Sequence, residues 1–92
     1  MKTDVNFYHT VIETFGAPAQ VWMLVEQCGE VLNALAKYRR GRGSKEDIIS
    51  QLACVHIMVE QIACLFGWDD FEAEKVRKLQ QLHKGIDKHG SV

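Results

Sequence analysis

The chain has little charge of either sign to spare. Eleven Lys and Arg against twelve Asp and Glu leave a formal charge of −1 at pH 7, with acids and bases interspersed. No broad field therefore favours a nucleic-acid polymer or an anionic membrane, and any cationic site has to be local. An even cysteine complement is also missing. The three cysteines lie inside segments read below as helices, and no cationic apolar leader precedes them, which points to reduced thiols in a cytoplasmic protein rather than a disulfide framework. Strand-like alternation, internal repeats and low-complexity tracts are absent. So is an uninterrupted membrane span: the most apolar stretch, Ile48 to Phe66, is broken by Ser50, Gln51, His56, Glu60 and Gln61, and a helix inside a bundle is the expectation. Ninety-two residues fit one domain, 1–92, small enough that burial between protomers would add considerable stability, so a homo-oligomer is expected.

What is present is helical periodicity. Val5, Tyr8 and Ile12 share a face over 3–14, and Phe15-Gly16-Ala17-Pro18 ends that helix and starts the next, with Pro18 tolerated where its missing N–H has no partner. Over 18–39, Val21, Leu24, Val25, Cys28, Val31, Leu32, Leu35 and Tyr38 form an apolar stripe, with Glu26, Gln27, Glu30, Asn33 and Lys37 opposite. Arg39-Arg40-Gly41-Arg42-Gly43-Ser44 breaks the pattern as a tight turn, and Ser44 with Asp47 gives a capping signal for a third helix over 45–66. That helix is apolar on most of its circumference and belongs at the centre of the assembly. Gly67 ends it. Asp69 with Glu72 caps a fourth, more polar helix over 69–86, carrying Val76, Leu79, Leu82 and Ile86, before a tail rich in Lys, His and Gly that is expected to fray. The fold class is all-α, four helices in a bundle.

The blocks Phe15–Gln20, Met23–Glu30, Lys37–Arg42, Gln51–Gly67 and Arg77–Leu79, in this order and spacing, resemble the MazG-like all-α nucleoside triphosphate pyrophosphohydrolases of the short single-domain type. The resemblance implies a dimeric or tetrameric helical bundle that uses Mg²⁺ to split a nucleoside triphosphate into monophosphate and pyrophosphate. It also implies a metal face built from Glu-x-x-Glu on one helix and Glu-x-x-Asp on the next. Here those positions carry Gln27, Glu30, Gln51 and Cys54, and Glu26 matches the acid that commonly precedes the first motif. Only Glu26 and Glu30 remain as metal acids. Mg²⁺ prefers charged oxygen, whereas an amide offers a neutral carbonyl and a cysteine a soft sulfur. The expectation is nucleotide binding with weak or no hydrolysis, with Mg²⁺ as cofactor only if activity survives.

Lys37, Arg39, Arg40 and Arg42 cluster at a helix end, where guanidinium forks suit triphosphate oxygens. The plainer role of such cations is to favour the helix macrodipole while solvated. Cys54 and His56 carry zinc-ligand chemistry, but residues two apart on a helix point in different directions, and Cys54 as a nucleophile would lack a group that lowers its pKa. Glu46, Asp47 and Glu60 are the acids a rearranged site would use. Trp68 and Phe71 fit packing at a helix junction better than base stacking. The alternative to a nucleotide-binding relative is a non-enzymatic helical homo-oligomeric interaction module.

Overall fold

A computed structural model describes residues 5–90, and every element in it is helical: α1 (Val5–Phe15), α2 (Ala17–Arg39), α3 (Lys45–Phe66) and α4 (Trp68–Gly90). The junctions follow from backbone chemistry. Gly16, at φ 91°, turns the chain between α1 and α2, its N–H donating to the Ile12 carbonyl at 2.8 Å, with Pro18 in the first turn beyond it. Between α2 and α3, the N–H groups of Arg40 and Arg42 both donate to the Lys37 carbonyl, while Gly41 and Gly43 adopt left-handed φ of 78° and 77° that a side chain would resist. Ser44 Oγ then accepts the Asp47 N–H at 3.1 Å, the expected N-cap of α3.

The seam joining α2 to α3 differs from the stripe read in the sequence. Along α2, Gln20, Leu24, Gln27, Val31 and Ala34, spaced alternately four and three residues apart, are withdrawn from solvent, as are Ala17 and Val21 near its start. Their counterparts on α3 are Ile48, Gln51, Val55, Met58 and Ile62, with the same alternation. This is the packing pattern of an antiparallel coiled-coil pair, and it moves Gln27 from the polar side to the seam. Val25, Leu32, Leu35 and Tyr38 are exposed instead. α1 lies across both helices, burying Ile12, and Tyr8 O–H donates to Glu60 Oε1 at 2.9 Å. α3 is central, as expected, since it packs against all three other helices. It has the length and composition of a membrane span, and its buried end places Gln61 against Gln20 across the seam.

α4 departs most from expectation. It runs to Gly90 instead of fraying after residue 86, with Asp69 and Asp70 in its first turn and Lys88 and His89 in its last, so both ends complement the macrodipole. Among the described residues it packs against α3 and no other helix. The result is an open molecule, 52 × 37 × 24 Å, with a radius of gyration of 16.4 Å where about 12 Å is usual for this length. Its accessible surface is 7400 Å², about 2000 Å² more than the ~5400 Å² at which a compact monomer of this mass falls. Among the described residues, eighteen large apolar side chains are exposed, against five buried apolar residues.

Candidate functional site

The two helices that the resemblance makes the walls of a metal site do face each other. Residues three apart on a helix share a face, so 27 with 30 on α2 and 51 with 54 on α3 bracket one stretch of the antiparallel seam. At its centre Gln27 Nε2 donates to Gln51 Oε1 at 2.5 Å, with both side chains half-buried. Glu26, Glu30 and Cys54 are exposed. The donor set does not suit Mg²⁺. Two facing carboxylates at these positions would repel and would need a cation between them, whereas two amides are complementary, one giving an N–H and the other its carbonyl oxygen. The Gln51 oxygen is therefore already engaged, and no step through a metal follows from this face. Among the described residues, no three His, Cys, Asp or Glu side chains converge as metal ligands.

The predicted cations occupy one end of the α2–α3 pair. Lys37 and Arg39 are in the last turn of α2, Arg40 and Arg42 in the turn beyond, and all four are exposed. Glu30 and Lys37, seven residues apart, lie on one face of α2 about 10 Å from each other along the axis. The cations and the remaining acids are thus neighbours on a single helix rather than a closed pocket. Glu46 and Asp47 form the first turn of α3, where Asp47 N–H is taken by Ser44. Glu60 lies elsewhere, bonded to Tyr8 and 3.5 Å from His56 Nε2, so these three acids do not gather with the motif face.

Two polar clusters went unrecognised in the sequence. Gln61 Nε2 donates to Gln20 Oε1, and both residues are almost wholly buried, at 3% and 4% exposure. Together with Gln27–Gln51 this places a second amide pair on the same seam. The other cluster, Tyr8–Glu60–His56, ties α1 to α3. Gln61 was detectable as a polar residue running directly into Ile62-Ala63-Cys64, but its partner lies 41 positions away. The three cysteines are free thiols. Burial pushes the Cys64 thiol above its ordinary value, and the nearby Glu60 adds to the shift, so this sulfur is held protonated. Trp68 and Phe71 pack together at the α3–α4 junction, with ring centroids 5.5 Å apart and planes tilted by 39°.

A groove of about 540 Å³ opens beside that junction, lined by Leu24 of α2, Val59, Ile62 and Phe66 of α3, and Phe71 of α4, with Asp70 and Glu74 at its edge. No family model matches the chain, and neither a curated protein nor a solved structure does.

Proposed function

We propose that this chain is a MazG-like helical homo-oligomer that binds a nucleoside triphosphate and does not hydrolyse it at an ordinary rate. The observation that supports the loss of chemistry is the Gln27–Gln51 hydrogen bond at 2.5 Å, which holds the two walls together where the family pattern asks for carboxylates around a cation. Without them, the charge that develops on a transferred phosphoryl group lacks its neutralising ion, and each ~1.4 kcal/mol of lost transition-state stabilisation is a tenfold loss of rate. Binding is the more robust property, because Lys37, Arg39, Arg40 and Arg42 supply exposed donors for phosphate oxygens independently of any metal.

The test is calorimetric titration with a panel of nucleoside triphosphates, each with and without Mg²⁺, following pyrophosphate in the same samples. Binding that weakens on Arg39→Ala or Arg40→Ala, without pyrophosphate release, is the expected outcome. Magnesium-dependent release would overturn the reading of the amide pair. The non-enzymatic interaction module is favoured by a different observation, the surplus of about 2000 Å² of surface on the isolated chain. Absence of any nucleotide binding would leave that reading alone.

A further inference from the structure

Helix α1 occupies one side of the α2–α3 pair, where its Val11 and Phe15 border Met23 and Met58. The opposite side is uncovered and apolar. At about 100° per residue, Val21, Leu24, Val25, Cys28, Leu32 and Leu35 share one arc of α2, about 100° wide, and no polar side chain enters it before Arg39 in the last turn. The matching row on α3 is Ile49, Leu52, Val59 and Phe66, begun by Lys45 and with His56 as its one other polar side chain. Two grooves join the rows into one face: Leu35 with Lys45 and Ile49 at one end, and Leu24 with Val59, Phe66 and the root of the α4 arm at the other. Leu32 is 69% exposed and Phe66 78%, and Cys28 is exposed between the two ends. The charges on this face stand at its limits. Arg39 and Lys45 lie at the turn end, whereas Glu46 and Asp47 point to other sides of α3. Asp70 and Glu74 edge the groove at the α4 end. Glu74 holds Arg77, but Arg39, Lys45 and Asp70 have no ion-pair partner among the described residues.

We infer that this face is covered by the same face of a second copy of the chain, across a two-fold axis that runs at right angles to the helices and passes beside Cys28. The inference rests on the self-association part of the proposal above and is independent of nucleotide binding. Area and charge both select a second copy. Covering the surplus of about 2000 Å² on each of two chains removes about 4000 Å², within the ~2000–5000 Å² of permanent homodimers. A two-fold contact sets like surface on like surface, which suits a face that is apolar throughout its middle. An axis along the helices would stack the cationic ends of both copies together and the acidic ends together. The axis across them instead brings Arg39 and Lys45 of each copy to the Asp70 end of the other, an attraction made twice. In that arrangement α2 lies antiparallel on α2 of the second copy. Cys28 is the middle residue of α2 (17–39) and sits at the centre of its apolar arc, so the two copies of Cys28 meet at the axis.

Two measurements test the arrangement. On mild oxidation, the Cys54→Ser chain is expected to form an interchain disulfide through its native Cys28. Leu35→Cys in a Cys28→Ser/Cys54→Ser background is not, because seven residues on either side of the axis set its two copies about 21 Å apart. Cross-linking at both positions, at neither, or at Leu35→Cys alone would overturn the proposal. In sedimentation at varied concentration, Arg39→Glu/Lys45→Glu and Asp70→Lys should each self-associate about tenfold more weakly than the native chain. An equimolar mixture of the two should recover native affinity, because each reversed end then meets a charge of opposite sign and the other end is native. A native chain that sediments as a monomer throughout would overturn the proposal together with the self-association on which it rests. Association unchanged in both variants, or unrecovered on mixing while circular dichroism shows native helix content, would overturn this face alone and leave self-association through another.

Discussion

Restoring the acids of the α2–α3 face by Gln27→Glu, Gln51→Glu and Cys54→Asp should make thermal stability depend on magnesium, a dependence not expected of the native chain. The native amides touch at 2.5 Å. Two carboxylates in their place cannot share a proton-free contact of that length and would move apart. At about 4 Å their repulsion is about 1 kcal/mol in water and about 4 kcal/mol at an effective dielectric of 20. The residues are half-buried, so a net loss of about 2 kcal/mol is expected without divalent cation, equivalent to a fall in Tm of about 8–16 °C for a domain of this size. Magnesium at a hundredfold excess over its Kd returns about 2.7 kcal/mol to a protein that binds it only when folded. Thermal unfolding by circular dichroism, at one fixed protein concentration with EDTA or with Mg²⁺, measures both numbers. The native chain should shift by about 1 °C or less between the two conditions. A native Tm that rises with Mg²⁺ as far as the variant's would refute the reasoning, since the amide pair would then be no obstacle to the ion.

Other outcomes follow from single contacts. Gln61→Leu strands the buried Gln20 amide and should cost about 1–3 kcal/mol, whereas Gln20→Leu/Gln61→Leu should recover most of that loss; urea unfolding of the three variants closes the cycle, and additive costs would mean the two amides do not depend on each other. Ser44→Ala removes the acceptor for Asp47 N–H and should destabilise the chain by about 1 kcal/mol, read from the same urea curves, while Ser44→Asp should be nearly neutral. Glu74 is held below the usual carboxylate range chiefly by its hydrogen bond to Arg77. A depressed folded-state value makes this contribution present above about pH 4.5 and lost as pH falls through the lowered value. NMR titration of its side-chain carboxyl carbon should give a midpoint that returns toward 4.5 in Arg77→Gln.

The helices and their order were legible in the sequence because each boundary carries local chemistry: Gly16 with Pro18, the Arg-Gly-Arg-Gly turn, the Ser44 cap and Gly67. The inner face of α2 was not. Val25, Leu32 and Leu35 look like core, yet the seam takes Gln20 and Gln27, because two amides can satisfy each other there and apolar periodicity alone does not register a polar pair split between helices. The length of α4 was misjudged for a related reason. Glycine and histidine near a chain end read as fraying, while the cations beside them stabilise the last turn. For the site, the family resemblance singled out Gln27 and Gln51 as positions on adjacent helices, and the hydrogen bond that joins them needed coordinates.

One residue, Gly67, separates the last residue of α3 from the first of α4, and its φ of 137° sets the direction in which the arm leaves the core. A β-carbon there would meet the Asp70 carboxylate at 3.4 Å in a backbone conformation that other residues rarely adopt. The aim of a 23-residue helix, a lever of about 34 Å, is therefore inherited from a single codon. Any other residue there would have to hold a strained φ or redirect the arm as a unit, with the α1–α3 sequence untouched by the change.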